Sequence, residues 1–267
     1  MSNFVINKCN IDDVADLKSE YLKSISAPID GMWMVFISMA DHYGIYHQDK
    51  LIGSIAVNAE NKMLQFIVSA DYDHQEIFKQ AIGELDIKGA VVETQEELFL
   101  SLTMDHQKTV SVNAHLYECA DEKVLDKAIF PKGMVFKPVN MDEFETAIDF
   151  GVAAIGAPEE WLRGYYKERI DSGELFGLWN NEDLIAAGET RPSANQKPYA
   201  DLGMVVATDY RGKGIATEIM KAMLHDCRKR DLKPICSTES GNIAAQKAIL
   251  KSGFKSKRRI LDVSFGE

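Results

Sequence analysis

Two kinds of hydrophobic pattern alternate along this chain. Short apolar runs that end at turn residues predict strands, and stretches in which apolar positions recur every three or four residues predict helices. Residues 4–10 and 134–140 show the strand pattern, and the helical pattern follows each of them at residues 11–25 and 141–153. Both helical stretches carry acidic residues in their first turn, where the helix dipole favours them. Strands that alternate with helices in this way predict an α/β fold.

The predicted elements occur twice in the same order. The hairpin pattern of residues 43–53 returns at residues 176–186, and the apolar run of residues 67–72 returns at residues 205–210. Copies lie about 130–140 residues apart, and the offset grows slowly along the chain, as loops of different length would produce. Three matches in register indicate an internal duplication.

The duplication divides the chain into two expected domains, residues 1–130 and residues 131–267. The connection is expected near residues 118–132, with a short predicted helix over residues 120–128. A length of 267 residues, 46% of them hydrophobic, is sufficient for two domains with cores of their own.

One stretch of the second half has the pattern of a phosphate-binding turn. A strand that ends at Val206 is followed by the Gly-rich loop Arg211–Gly214, and the helical period begins at Ile215. Backbone N–H groups at a helix start have no intrahelical partner, and the helix dipole favours an anion there. Two glycines remove the Cβ atoms that would keep a ligand at a distance, and Arg211 and Lys213 add positive charge. The stretch therefore predicts a cradle for a pyrophosphate.

Three other interpretations of the Gly-rich loop compete with the pyrophosphate cradle. A Walker-type loop requires Ser or Thr after Gly-Lys, but Gly214 follows Lys213. A dinucleotide-binding turn requires a third small residue where Thr217 stands. An ordinary strand–turn–helix with a glycine turn is the third interpretation, and a lone Gly-x-Gly would favour it.

The wider pattern resembles a known family. The spacing Val206-x-x-x-Tyr-Arg-Gly-x-Gly-x-Ala216 resembles motif A of the GNAT superfamily of acetyl-CoA-dependent N-acetyltransferases, although Thr208 stands where many members carry Pro. Downstream, Asn242-x-x-Ala followed by Gly-Phe254 resembles the second block of that family. The layout is also similar to the zwittermicin-resistance-like branch, from which no substrate is carried over.

The resemblance implies two tandem GNAT-like domains, each with a twisted mixed β-sheet flanked by helices. It also implies acetyl-CoA as cosubstrate, bound by the second domain. Eleven residues are predicted to contact it: Met204, Val205, Val206, Arg211, Gly212, Lys213, Gly214, Ile215, Ala216, Thr217 and Asn242. In the first half, Asp73-His-Gln-Glu76 replaces the Gly-rich loop, so side chains and two negative charges would exclude a phosphate. We therefore expect the first half to be a degenerate copy.

Acetyl transfer to an amine requires a base if the amine is protonated in solution. Three carboxylates are candidates: Asp201, at the start of the motif A strand, Glu189, on the preceding strand, and Glu239, before the second block. Each has an alternative interpretation as a solvated or capping carboxylate. Many family members place a Tyr seven residues after the Asn as general acid, but Ile249 occupies that position. The aromatic residues Trp161, Tyr165 and Tyr166 are candidates for acceptor contact or for core packing.

Composition and charge narrow the partners, cofactors and cellular locations that we expect for this protein. A net charge of −11 argues against nucleic acid or an anionic membrane as partner. The four cysteines lack metal-type spacing, no signal peptide or membrane span is recognisable, and we expect a cytoplasmic protein without a metal. The expected activity is acetyl transfer to a primary amine of a small molecule. A peptide or protein N-acetyltransferase and a non-catalytic acyl-CoA-binding regulatory protein are the alternatives.

Overall fold

The computed structural model describes residues 4–119 and 127–266. The helix expected over residues 120–128 falls largely on residues 120–126, which lie outside the described part of the chain. The described residues form two compact units. The first contains residues up to Leu116 together with those from Arg258 onward, and the second extends from Tyr117 to Lys257.

The first unit begins with a strand, and two helices precede the second strand. Its elements are β1 (Phe4–Cys9), a 3₁₀ turn (Ile11–Val14), α1 (Ala15–Ser24), α2 (Gly31–Ser38), β2 (Asp41–His47), β3 (Lys50–Val57), β4 (Lys62–Val68), α3 (His74–Glu84), β5 (Gly89–Glu93), α4 (Glu97–Asp105) and β6 (Gln107–Cys119).

The second unit repeats this order. Its elements are β7 (Met134–Pro138), a 3₁₀ turn (Met141–Glu143), α5 (Phe144–Ile155), α6 (Glu159–Asp171), β8 (Leu175–Asn180), β9 (Asp183–Pro192), β10 (Tyr199–Val206), a 3₁₀ turn (Thr208–Tyr210), α7 (Ile215–Lys229), β11 (Lys233–Glu239), α8 (Ile243–Lys251) and β12 (Phe254–Phe265). The predicted α/β class is confirmed, and so are both copies of the strand, helix and hairpin pattern.

The strands of both units follow the same mixed topology. In the first unit the strand order is β1-β2-β3-β4-β5-β12-β6, and in the second it is β7-β8-β9-β10-β11, so that the first five strands of each order correspond. The first four strands of each copy are antiparallel neighbours, whereas β4 pairs with β5, and β10 with β11, in parallel. A helix connects each parallel pair, as parallel neighbours require.

Helices cover both faces of each sheet. In the first unit, α3 and α4 pack on one face through residues such as Phe78 and Phe99, and α1 and α2 pack on the other through residues such as Trp33. In the second unit, α7 and α8 cover one face through residues such as Met223, and α5 and α6 cover the other through residues such as Leu162. Among the described residues, none of the helices combines the length and the apolar character that crossing a membrane requires.

The division of the chain differs from the expected one at its C-terminal end. The expected second domain includes the end of the chain, but residues 260–264 of β12 pair antiparallel with β5 of the first unit. Val263 is fully buried in the same cluster as Ile77 and Phe78. The Lys62 amine also binds both carboxylate oxygens of Asp262 at 2.8 Å. The last residues therefore complete the first unit's sheet.

Candidate active site

The Gly-rich loop of the second unit leaves backbone N–H groups open at a helix start. Gly212 and Gly214 have positive φ values of 77° and 83°, a conformation that glycine adopts without steric cost. A Cβ at either position would meet no atom within 4 Å, so the space above both is open. The first N–H groups bonded within α7 are those of Thr217 and Glu218, which both donate to Gly214 O. Among the described residues, the N–H groups of residues 212–216 have no backbone partner, which suits an anion.

The two basic side chains of the loop have different environments. The Arg211 Nε donates to Val206 O at 3.0 Å, and its Nη2 donates to Ala154 O, in the last turn of α5, at 3.3 Å. The Lys213 amine lies 4.9 Å from the centre of the Tyr210 ring. Arg211 therefore ties the end of β10 to the C-terminal end of α5, whereas Lys213 is the cation held beside the open N–H groups.

The parallel strands β10 and β11 separate beside this loop. Their register covers only Tyr199–Asp201 against Lys233–Ile235. Ala207 N–H donates to Ile185 O of β9, while Pro198 O accepts from Lys233 N–H of β11. Backbone groups alternate sides along a strand, so those of even-numbered residues point toward β11. The N–H of Met204 therefore points into the opening between the two strands, and the neighbouring Val205 N–H faces β9.

A polar cluster lies on the face of the sheet that α6 covers. The Tyr165 hydroxyl donates to Glu189 Oε2 at 2.5 Å and accepts from Arg191 Nη1 at 3.1 Å, and Arg191 Nε lies 3.5 Å from the same carboxylate oxygen. Glu189 is directly opposite Gly203 of β10, one residue before Met204. Because Gly203 has no side chain, the Glu189 carboxylate extends over the strand, and its oxygen would lie only 3.7 Å from a Cβ there.

Two of the three aromatic candidates border the polar cluster, and the third lies in the hydrophobic core. Trp161 is half exposed and stacks on Tyr165, with ring centres 4.8 Å apart. Burial, reinforced by the negative charge of Glu189, raises the pKa of Tyr165, so its hydroxyl stays protonated. Tyr166 is fully buried and belongs to the core under α5 and α6. Trp161 and Tyr165 therefore border the cluster, and Tyr166 supports it from below.

The two other candidate bases lie in different surroundings. Asp201 is buried and stands opposite Arg191 in the β9–β10 register, on the same face as Glu189. Glu239 is exposed at the end of β11, where its backbone oxygen accepts from Asn242 N–H. The structure therefore brings Asp201 and Glu189 to one face, and it places Glu239 at the end of the neighbouring strand.

The second block of the motif forms a helix cap. The Asn242 side chain accepts from Ala245 N–H at 3.1 Å at the start of α8. Ile249 is 2% exposed and packs in the core under α7 and α8. The position at which many family members carry a general acid therefore faces the core.

The corresponding loop of the first unit is closed by side chains. Asp73 caps α3 by accepting from Glu76 N–H at 3.0 Å, and His74 Nε2 is 3.1 Å from Ser69 O. The parallel strands of this unit also separate early, because β4 and β5 pair only from Lys62 to Met63. The first unit thus retains the early separation of its parallel strands, but it lacks the glycines that expose backbone N–H groups in the second unit.

Sequence reasoning missed the contacts of Tyr165 and Arg191. A signal was available, because Glu189 and Arg191 alternate along β9 on one face, and three aromatic residues lie close together at positions 161–166. Sequence alone did not show that one hydroxyl joins both charged groups. Among the described residues, no group of three or more His, Cys, Asp or Glu side chains is arranged to hold a metal ion.

Comparisons with known proteins agree with this geometry. Residues 10–120 match the family model described as an acetyltransferase (GNAT) domain, and residues 142–254 match that of the acetyltransferase (GNAT) family. A GNAT-family acetyltransferase from Colwellia psychrerythraea is 36% identical over 98% of this chain and 100% of its own, with a TM-score of 0.90. The chain belongs to the GNAT family. It is therefore an acyltransferase with two GNAT domains.

More distant structures share the fold. A GCN5-related N-acetyltransferase from Sphaerobacter thermophilus has a TM-score of 0.72 at 11% identity, over 98% of this chain and 95% of its own. A tandem GNAT protein from the clavulanic acid biosynthesis pathway has a TM-score of 0.66 at 14% identity, over 99% of both chains. No curated protein matches the sequence. The similarity to the zwittermicin-resistance-like branch stays a prediction.

Proposed function

We propose that the second unit transfers an acetyl group from acetyl-CoA to the primary amine of a small molecule. The observation that carries this proposal is the juxtaposition of open N–H groups in residues 212–216 with the opening between β10 and β11. The Gly-rich loop fits a pyrophosphate because a Cβ at Gly212 or Gly214 would project into the open space. Acetyl-CoA would supply the thioester from which the acyl group is taken.

The chain's own groups can perform the remaining tasks. The Met204 N–H points into the opening and can polarise a carbonyl held there, as backbone donors do in oxyanion holes. The acyl-bearing arm of acetyl-CoA would lie along Met204, Val205 and Val206. It would be bordered by Ile215, Ala216, Thr217 and Asn242. A thiol has a pKa of about 8.5, so a thiolate can leave near neutral pH without a strong acid. Ile249 in the core therefore does not prevent the reaction.

Glu189 is our first choice as the base. Its carboxylate lies one residue from Met204 across the strand pair, whereas Asp201 is farther from the opening and Glu239 is exposed at the end of β11. Tyr165 and Arg191 fix one of its oxygens, which leaves the other to receive a proton from an ammonium group. The net charge of −11 favours a cationic small molecule as the acceptor, and the proposed location of the enzyme is cytoplasmic.

A non-catalytic acyl-CoA-binding protein is the second candidate. The observation that favours a non-catalytic protein is the burial of Ile249, at the position where many family members carry a Tyr as general acid. In that case the second unit would bind acetyl-CoA without releasing CoA in the presence of amines.

Calorimetry with acetyl-CoA tests the cofactor site first. The variants Gly214→Asp and Gly214→Asn are matched, since both side chains tolerate positive φ and differ mainly in charge. We expect one site per chain, binding at least about 10-fold weaker in the Asp than in the Asn variant, and an unchanged affinity in Gly83→Asp, at an open helical position of the first unit. Two sites per chain, or equal binding in all variants, would contradict the assignment.

A thiol-release assay over a panel of amines and peptides then separates the candidates. Release with small amines supports the proposed activity, and release with peptides alone supports a peptide N-acetyltransferase. Tight binding without any release supports the non-catalytic candidate.

A further inference from the structure

Three reactive side chains meet in the first unit, away from the Gly-rich loop. The antiparallel register of β1 and β2 places Cys9 directly opposite His42. Helix α1 brings Lys18 over this strand pair, with Lys18 Nζ 3.3 Å from His42 Nδ1. His42 is 5% exposed, whereas Lys18 and Cys9 are only half-buried. An amine, an imidazole and a thiol thus share one partly accessible site.

Lys18 has an imidazole as partner where a lysine would ordinarily have a carboxylate. Within the described residues, its amine has no Asp or Glu oxygen within 4.0 Å. The acids nearby are engaged elsewhere, since Asp41 pairs with Lys8 at 2.8 Å and Asp13 accepts from Asn10 N–H at 2.8 Å. A hydrogen bond from the amine requires that His42 Nδ1 be the unprotonated ring nitrogen.

The local electrostatics keep this amine partly neutral. Burial lowers the pKa of Lys18 to about 8, against an opposing effect of Cys9. Burial and the Lys18 charge lower the pKa of His42, so the imidazole is neutral. Burial and Asp13 raise the pKa of the Cys9 thiol, so the thiol stays protonated. At pH 8 about half of the Lys18 amine would be neutral, compared with about 0.4% of a lysine with a pKa near 10.4.

We propose that Lys18 is a nucleophilic acylation site, at which acyl thioesters such as acetyl-CoA modify Nζ with His42 as the proton acceptor. The neutral Nζ attacks the thioester carbonyl, a C–N bond forms, the C–S bond breaks and the thiolate leaves. The Nζ proton passes to His42 Nδ1 and from there to the thiolate through solvent. The products are Nζ-acyl-lysine and a free thiol. This reaction needs a thioester in solution and is independent of the Gly-rich loop.

Lys23 is a matched control on the same helix. Its amine pairs with Glu20 at 2.6 Å and its side chain is 68% exposed. The intact protein is incubated with acetyl-CoA, and separately with S-acetyl-N-acetylcysteamine, at pH 8, and acylation of each lysine is followed by peptide mass spectrometry. We expect Lys18 to react about 10-fold faster than Lys23 in the folded protein and at the same rate in urea. Equal rates in the folded protein, or a Lys18 advantage that persists in urea, would overturn the proposal.

Two variants assign the roles. In His42→Gln, verified as folded by circular dichroism, we expect the Lys18 rate to fall at least about five-fold while the Lys23 rate stays constant. In Gly214→Asp we expect no change at Lys18 with either thioester. An unchanged Lys18 rate in His42→Gln would overturn the mechanism whether or not the second unit acetylates an amine. A loss in Gly214→Asp would also overturn it, because it would show that the second unit transfers the acyl group to Lys18.

Discussion

Gly214 and Asp73 directly precede α7 and α3, and the choice of residue at this position decides what each helix start can bind. Gly214 adopts a positive φ, and the space above it is open. At the other helix start, Asp73 already satisfies the N–H of Glu76. An acid in the first turn stabilises a helix, but it also occupies the place of an external anion. The duplicated scaffold thus presents one anion site and one self-capped helix.

The position of Glu189 leads to a prediction about catalysis. We expect Glu189→Gln to lower kcat by about 100-fold, since general base catalysis contributes about that much, with little change in the affinity for acetyl-CoA. Glu239→Gln, a matched substitution of an exposed carboxylate, should change kcat less than about 3-fold. Steady-state kinetics with an amine found in the panel would check both. A larger loss in Glu239→Gln than in Glu189→Gln would move the base to the end of β11.

We expect the Arg211 side chain to contribute to folding stability and the Lys213 side chain to contribute to acetyl-CoA binding. Arg211→Gln removes two bonds to backbone oxygens and should lower the free energy of unfolding by about 1 kcal/mol, since the side chain is exposed. Lys213→Gln should leave stability within about 0.5 kcal/mol and weaken acetyl-CoA binding, because its charge lies beside the open N–H groups. Urea unfolding and calorimetry on both variants provide the test. The prediction fails if Arg211→Gln leaves stability unchanged.

Buried carboxyl groups in the first unit should make its stability depend on pH. Burial raises the pKa of Glu96 to about 7, although Tyr21 OH and Glu93 N–H donate to its oxygens. Between the usual carboxyl pKa and pH 7 the folded state binds more protons than the unfolded state, so stability falls as pH rises. We expect a loss of up to about 3 kcal/mol from pH 5 to pH 8.

The variant Glu96→Gln should flatten this dependence, and Glu97→Gln, at the exposed neighbouring position, should leave it intact. Urea midpoints at pH 5 and pH 8 measure the slope. Equal slopes in the wild type and in Glu96→Gln would refute the assignment.

At the scale of elements, the sequence predicts the features that local pattern sets, and it does not predict those that depend on packing between distant residues. The strand–helix order, the hairpins and the loop that begins at Arg211 follow from apolar period and from turn residues, which act over a few positions. The separation of β10 from β11 after Asp201 depends on the pairing of residues more than 30 positions apart, which no local pattern records. The contact between Tyr165 and Glu189 likewise exists only after α6 has packed on the sheet.

Packing between α7 and β9 yields a prediction at this scale. A Cβ at Gly188 would lie 2.7 Å from Ile219 Cγ2 and 2.7 Å from Met223 Sδ, so these two side chains of α7 would have to move. Gly188→Ala should destabilise the protein by about 1–3 kcal/mol and weaken acetyl-CoA binding, since α7 carries the Gly-rich loop. Gly164→Ala is the control, because a Cβ at that helical position meets nothing within 4 Å and should stabilise by up to about 1 kcal/mol. Urea unfolding that ranks the two variants in the opposite order would contradict the packing argument.

At the scale of the whole molecule, the position of a strand in the sequence does not decide the unit to which it belongs. The first unit is complete only when the end of the chain adds a strand beside β5. A division of the chain at residue 130 assigns that strand to the second half, because the strand follows the second half in sequence. The alternation of residues 260–265 predicts a strand, but it does not name the neighbour, and the neighbour decides which core Val263 enters.

Two buried residues of the C-terminal half should therefore act on different units. Val263→Ala removes methyl groups from the cluster that contains Ile77 and Phe78, whereas Ile249→Ala enlarges a void in the cluster under α7 and α8. Each should cost about 1–4 kcal/mol, since both side chains are at most 2% exposed. Loss of local stability appears as faster amide exchange in the elements that share the damaged core. We expect Val263→Ala to accelerate exchange in α3 and β5, and Ile249→Ala to accelerate it in α7 and α8. If Val263→Ala instead loosened α7 while α3 stayed protected, the last strand would belong to the second unit in solution, and the simple division at residue 130 would be restored.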